Sequence, residues 1–268
     1  MTVLIKYPKQ TEKRNKVFFE KKDRELTDLD WSKWAGWFVT DGSLHPKSKS
    51  KNILNMSKYS SKCELELKDK QPVELFSKIF ECSLKCREMK TVTPDGKNYR
   101  ITTFASALHG EQAKWFTKNI YPYLIKQGKK DYAAKLLGYR PESKDFADWT
   151  ADEIRNYLAT ASEGDGRYRV SGKKTKSIEI GLASNDVQYL SNVQNLVNKL
   201  GVASKLGKHS TYKMKKGIRT MYVLNFLCSR RNPNNLGFFQ SLIKDGVMTL
   251  DRKKQKVQEF VGQAWVAK

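Results

Sequence analysis

Two acids occupy matched places in this chain. Asp41 ends the run WAGWFVTDG at 34–42, and Asp165 ends LATASEGDG at 158–166, 124 positions later. Glycine follows each. A helix C-terminus carries partial negative charge, so an acid there is electrostatically unfavourable. Two such acids brought side by side, with two helix C-termini beside them, call for a cation. A hard divalent ion with oxygen ligands suits that donor set, Mg²⁺ above all. The chemistry depends on the two acids meeting, and therefore on the elements that carry them.

Each acid closes a stretch with helical signals. TDLDWSKWAGWFVTDGSL begins with Thr27 and has Asp30 three residues on; TADEIRNYLATASEGDGRY begins with Thr150 and has Glu153 at the same offset. Thr150 with Glu153 is a capping-box pattern, and Thr27 with Asp30 is a weaker form of it. Each helix runs about four turns, and its Gly is expected to supply a left-handed C-cap. Small residues punctuate both: Ala35, Gly36 and Thr40 in the first, and Ala159, Thr160, Ala161, Ser162 and Gly164 in the second. Gly36 with Thr40, and Thr160 with Gly164, are four apart and share a face, which predicts close helix packing.

The rest of the chain keeps the same beat twice. NILNMSKY and CELELK follow the first helix, and SIEIGLAS follows the second. Cys63, Leu65 and Leu67 alternate with Glu64, Glu66 and Lys68, a half-buried strand pattern. Then come a helix (PVELFSKIFECS; VQYLSNVQNLVNKLG) and a hairpin turning at Asp95-Gly96 or near Gly217. A further helix and a lysine-rich closing stretch complete each half. Each half thus reads α-β-β-α-β-β-α-α, an α+β architecture of two pseudo-symmetric domains. The expected division is a basic extension at 1–24, a first domain at 25–138, a linker at 139–149 and a second domain at 150–268. Duplicated halves commonly pack about a pseudo-two-fold axis. If the two acid-bearing helices form that seam, Asp41 and Asp165 arrive together.

Charge points to the partner. The 268 residues include 51 Lys and Arg against 28 Asp and Glu, a net charge of +23. So large an excess implies a polyanion, nucleic acid first and anionic membrane second. No apolar run approaches membrane-spanning length, and MTVLIKYPKQTEKRNK lacks the pattern of a signal peptide. The expectation is no membrane partner. Cys63, Cys82, Cys86 and Cys228 make no paired metal-ligand spacing, so core or surface thiols in a reducing intracellular compartment are expected. Bacterial or phage cytoplasm and an organelle all fit that description. The basic N-terminal stretch is either a backbone-contacting arm or a flexible terminus.

With both runs in view, WAGWFVTDG and LATASEGDG resemble the signature helices of LAGLIDADG homing endonucleases in their single-chain, two-motif form. The second carries both acids of the motif, Glu163 and Asp165. The first has Val39 in place of the inner acid and Trp34 in place of the leading Leu. The resemblance spans about residues 25–265. It implies two αββαββα domains whose antiparallel strands form a saddle over double-stranded DNA of about two helical turns. It also implies a monomer in which the last acid of each motif, Asp41 and Asp165, holds two or more divalent ions, Mg²⁺ among them. Backbone carbonyls at Thr40 and Gly164 would complete the ligands. The implied activity is hydrolysis of both strands, leaving short 3′ overhangs. Metals suit it by lowering the pKa of water and clamping the attacking and leaving oxygens.

The family also places a basic residue near the site in each half. Lys129 lies 88 positions after Asp41, and Lys253 lies 88 after Asp165. These two are the candidates, with Lys126 and Lys254 as rivals. Lys68 in the first half, and Ser184 or Asn185 in the second, match a polar position near the site. DNA contact is expected from strand-side basic residues. In the first half these are Lys47, Lys49, Lys51, Lys58, Lys62, Lys68, Lys90, Lys97 and Arg100. In the second they are Arg167, Arg169, Lys173, Lys174, Lys176, Lys213, Lys215, Lys216 and Arg219. Two other activities fit the same fold: a group I intron maturase acting on host intron RNA, and a DNA-binding protein without cleavage.

Overall fold

The structure, a computed structural model, describes residues 9–46, 61–92, 98–171, 177–214, 217–229 and 232–266. The stretch 52–59, the Asp95-Gly96 turn and several predicted DNA-contacting lysines lie outside these residues, whereas the second predicted hairpin is present, with Met214 paired to Gly217. The first half runs α2 (Asp28–Thr40), β1 (Gly42–His45), β2 (Lys62–Leu67), α3 (Lys70–Ile79), β3 (Leu84–Val92), β4 (Asn98–His109), α4 (Gly110–Ile120) and α5 (Gln127–Leu137). The second runs α6 (Ala151–Gly164), β5 (Gly166–Ser171), β6 (Ser177–Ser184), α7 (Val187–Asn198), β7 (Lys205–Met214), β8 (Gly217–Cys228), α8 (Pro233–Lys244) and α9 (Asp251–Val266). The expected order therefore appears in both halves, with the first strand of the first half placed at Gly42–His45, directly after the helix, ahead of the stretch 52–59 expected to supply it. The strands form two four-stranded antiparallel sheets of identical order, β1-β2-β4-β3 and β5-β6-β8-β7.

A helix precedes this repeat. α1 (Lys9–Glu25) covers most of the basic N-terminal stretch, which is a packed helix and not a flexible terminus where it is described. Its Phe18 is buried, Phe19 stacks on Trp115 at 5.5 Å, and Asp23 accepts from Trp115 Nε1 at 3.0 Å. Aromatic burial of this kind outweighs the self-repulsion of a basic helix.

The helices α2 and α6 lie at the centre. α2 buries Trp31, Ser32, Trp34, Ala35, Gly36, Trp37, Phe38 and Val39, so beyond its acidic first turn it is buried on nearly every side, as an interior helix is. Trp34 packs edge-on against Phe76 and Phe80. The N-terminal ends are capped as the sequence predicts. Asp30 accepts from the Thr27 N–H and hydroxyl at 2.9 Å each; Glu153 accepts from the Thr150 N–H at 2.8 Å while Thr150 Oγ1 accepts from the Glu153 N–H at 3.2 Å.

The C-terminal ends depart from expectation. Neither Gly42 nor Gly166 has positive φ, so neither is a left-handed cap. The chain doubles directly from helix into strand at these points. A Cβ on Gly42 would stand 2.5 Å from a ring carbon of Phe38, and one on Gly166 would stand 2.5 Å from the Ser162 carbonyl carbon. Glycine is required there by close approach, not by backbone handedness.

Candidate metal centre

The site begins with how closely α2 and α6 approach. A Cβ built on Gly36 would overlap Thr160 Oγ1 and stand 2.5 Å from the Tyr157 carbonyl; one built on Gly164 would overlap Thr40 Oγ1 and Asp41 Oδ2. Gly36 and Thr160 are equivalent positions of the two halves, as are Thr40 and Gly164. Each pair therefore meets at the pseudo-two-fold axis, with glycine supplied once by each half. Thr160 Oγ1 also donates across the seam to the Lys33 carbonyl at 2.8 Å. Contact this tight fixes the ends of both helices, and so fixes both acids.

Asp41 lies half-buried at the end of α2, with its Oδ2 buried, against Gly164 of the other helix, and without a hydrogen-bond partner. Burial pushes its carboxyl up to about 6, and the charge of Asp165 pushes in the same direction. Asp165 itself is open to solvent, but the surrounding protein still raises its pKa, opposed by Lys126, Lys129 and Lys253. The charge of Asp165 raises the proton affinity of Asp41, whose buried Oδ2 is orphaned, and Lys129 and Lys253 only partly offset this; the pair is a hard-oxygen donor set. The residues fit a divalent cation. Among the described residues no group of three or more His, Cys, Asp or Glu side chains could hold a metal. Further ligands would therefore be carbonyl, water or phosphate oxygens.

Two lysines converge on the same helix ends. The Lys129 ammonium donates to the Gly42 carbonyl. The Lys253 ammonium donates to the equivalent Gly166 carbonyl at 3.0 Å, to Ser162 at 3.0 Å, to Gly164 at 3.4 Å and to Glu163. It also stands 5.3 Å from the Tyr168 ring centroid. Burial lowers both lysines to about 8; neighbouring Lys126 adds to this at Lys129, and Arg252 at Lys253. Of the two rivals, one stands away from the acids and the other stands beside them. Lys254 pairs with Asp251 at 3.0 Å, and Lys126 approaches the Tyr189 ring at 5.6 Å while also acting on Asp165.

Glu163 has a role the sequence did not show. Buried at the end of α6, it accepts from the Thr249 N–H (2.6 Å), the Thr249 hydroxyl (2.8 Å) and the Leu250 N–H (2.6 Å). It thereby clamps the entry to α9 three residues before Lys253. The same helix entry is tied to the first half. Arg252 Nε and one terminal nitrogen bond the Asp69 carboxylate at 2.7–3.0 Å, and Gln71 donates to Asp251 at 2.5 Å. No local signal links residues so far apart in sequence.

The predicted DNA-contacting residues divide by position. Lys47, Lys49, Lys51, Lys58, Lys97, Lys173, Lys174, Lys176, Lys215 and Lys216 lie outside the described residues. Lys90 and Lys213 are on β3 and β7. Arg167 and Arg169 are exposed on β5, Arg219 on β8, Arg100 on β4 and Lys68 just past β2. Lys62 is engaged with Glu64 at 2.7 Å. Ser184 accepts from the Asp186 N–H at 3.1 Å, an anchoring bond at the start of α7, and Asn185 is exposed.

Comparison with known proteins bears on this geometry. Residues 152–232 match the family model described as a LAGLIDADG-like domain. The matched residues lie within the second half. Its match covers most of α6 and all of the second sheet, and the first half, outside the match, repeats the element order of that domain. No curated protein matches the chain. Among solved structures, mesophilic variants of the homing endonuclease I-DmoI share 14% identity over 81% of this chain and 96% of theirs, with a TM-score of 0.47. The LAGLIDADG homing endonuclease I-LtrWI bound to target DNA shares 15% over 87% and 97%, with a TM-score of 0.41. I-WcaI bound to its DNA recognition sequence shares 15% over 89% and 91%, with a TM-score of 0.45.

Proposed function

We propose that this chain is a site-specific double-strand DNA endonuclease that acts as a monomer with divalent metal ions, Mg²⁺ foremost, and leaves short 3′ overhangs. One observation carries the reading: Asp41 and Asp165 meet at the seam of a duplicated fold, with an orphaned buried carboxylate oxygen. Asp41 and Asp165 would hold the metal, and carbonyls at Thr40 and Gly164 are within the same helix ends. When bound, divalent ions acidify water and stabilise the attacking and leaving oxygens of the phosphodiester. The chain's own residues do the rest. Lys129 and Lys253, at about 8, remain largely protonated at pH 7. Each can donate to a phosphate oxygen or a water, near the pH at which a proton can be passed on.

The net charge of +23 and the exposed Arg167, Arg169 and Arg219 on the second sheet support a DNA-binding face. The division into domains at 25–138 and 150–268 belongs to the same proposal. The test is a selection of cut sites: purified protein, Mg²⁺ and a randomised duplex library, with both product ends sequenced. One recurrent site of about two helical turns with staggered 3′ ends is the expected result. Metal-independent binding with no cut site at any divalent ion would overturn the activity and leave a nucleic-acid-binding protein of the same fold, DNA- or RNA-directed.

A further inference from the structure

The first sheet carries an arrangement with no counterpart in the second. On β2 the side chains of Cys63, Leu65 and Leu67 face inward, and Cys63 Sγ donates to the Ala113 carbonyl of α4 at 3.2 Å. Glu64 and Glu66 therefore stand on the opposite, helix-free face. In a protein of net charge +23 whose sheets are read as meeting DNA, two acids in mid-face repel the ligand. Alternation predicts both to be solvated, yet Glu64 is only 7% exposed.

The reason is Arg87. It reaches from β3 across β4, where short Ala105 lies opposite Glu66 on one side and Lys85 on the other. One terminal nitrogen donates to Glu64 Oε1 at 2.6 Å and the other to Glu66 Oε2 at 2.5 Å. Thr103 Oγ1 donates to the second Glu66 oxygen at 2.7 Å, and Lys62 donates to the second Glu64 oxygen at 2.7 Å. Both carboxylates are thus saturated, and their charges are matched by Arg87 and Lys62. Such a network is weak as a source of stability, since desolvation offsets much of the attraction. Its effect is to hold one guanidinium in one orientation, with the side chain still 36% exposed. Among the described residues, no other group accepts from Arg87.

The position is close to the carboxylate pair. β1 starts one residue after Asp41, and its Ser43 lies directly opposite Glu64. In the second half, Gly166↔Leu182 corresponds to Gly42↔Leu65, which places Gly181 and Ala183 where the first half has Glu64 and Glu66. The strand corresponding to β3 has a register shift between Lys208 and Ser210 at the equivalent of Arg87. The network belongs to one half only.

We infer that Arg87, held by Glu64 and Glu66, is a specificity-determining residue that reads one guanine in the major groove of the half-site bound by the first sheet. The inference rests on the proposed DNA-cleaving function. Two of the five guanidinium N–H groups are engaged by the carboxylates; the other three, on Nε and the terminal nitrogens, remain to match guanine O6 and N7, and restraining the group beforehand removes an ordering cost on binding. Glu64 and Glu66 act through Arg87 and are positioning residues.

The experiment compares cut-site selections from the same randomised library for the wild type, Arg87→Lys and Glu66→Gln. Lysine keeps the charge against Glu64, so folding is preserved, but it lacks the fork. The wild type is expected to show a guanine preference at one first-half position, which Arg87→Lys relaxes by about tenfold. Every other position should be unchanged. Glu66→Gln should weaken preference at that same position with unchanged melting temperature. A wild-type profile for Arg87→Lys at every position would overturn the inference while leaving the endonuclease reading intact. Loss of preference spread evenly over the site would also overturn it, because that is the signature of a merely structural arginine. If the wild type itself yields no cut site, the function fails first.

Discussion

The two lysines that approach the paired acids are held very differently. Lys253 is 3% exposed, touches the carbonyls of four residues at the end of α6, and rides on a helix whose entry Glu163 clamps with three hydrogen bonds. Arg252 and Asp251 tie that same entry to the first half. Lys129 is half-buried and touches one carbonyl, that of Gly42. Val39 stands where Glu163 stands in the repeat, fully buried and with nothing to offer the entry of α5. A duplicated fold can thus keep both acids at matched helix ends while holding one half's lysine firmly and the other's loosely. Under the proposed function, the second half's lysine is held in place before DNA binds and the first half's less so.

That contrast can be broken in order of expected effect. Val39→Glu puts a carboxylate into a site with no donors arranged for it, and should destabilise the fold by about 4 kcal/mol. A melting temperature equal to the wild type would show that the first half retains a latent clamp and that the halves are equivalent. Lys253→Met should lower double-strand cleavage on the order of 100-fold, and Lys129→Met by less. Lys253→Met should also destabilise the fold, because the carbonyls of Ser162, Glu163, Gly164 and Gly166 lose this donor, so cleavage is compared at a temperature where both variants are folded. Equal losses from the two substitutions would erase the proposed asymmetry.

Glu163→Gln keeps shape but presents an amide to three donors. Cleavage should drop by about tenfold with DNA affinity unchanged, and a supercoiled plasmid substrate should accumulate nicked circles as one strand lags. Linear product formed at the wild-type rate would rule out a positioning role. The smallest effect concerns pH. The folded carboxyl of Asp41, at about 6, holds its proton more tightly than the unfolded one does. Its contribution to stability is therefore unfavourable at neutral pH and is relieved as pH falls through about 6 towards the unfolded value. Metal-free Asp41→Asn should be more stable than the wild type by on the order of 1 kcal/mol at pH 7.5. The gap should narrow as pH falls below about 6 and close only below the unfolded value, 3.8. A gap that is independent of pH would place the carboxylate in ordinary solvent.

How much of this was legible in the sequence varies by kind of signal. Repetition was the strong one. Spacing of 124 between the acids and 88 from each acid to its lysine rests on duplicated geometry, and the structure brings all four residues to the ends of α2 and α6. The small residues at Gly36, Thr40, Thr160 and Gly164 were legible as close packing because helical periodicity places them on one face. The glycines after the acids were misread: Asp-Gly suggests a left-handed cap, whereas the contact with Phe38 or Ser162 that demands glycine exists only once the strand doubles back. The clamp on α9 and the Arg87 network were not legible. They join residues tens of positions apart through side-chain reach, and alternation along β2 shows which way Glu64 points but not what holds it. The packing of α1 was hidden by its basic composition, which masks the aromatic pair Phe18 and Phe19.

The central claim is that Asp41 and Asp165 share a divalent-metal site that cuts DNA. The direct measurement is Mg²⁺-dependent cleavage of the selected target by Asp41→Asn and Asp165→Asn, with DNA affinity measured in parallel. Each substitution should lower cleavage by at least on the order of 1,000-fold while binding stays within a few-fold of the wild type. Cleavage at the wild-type rate by either variant would contradict the account.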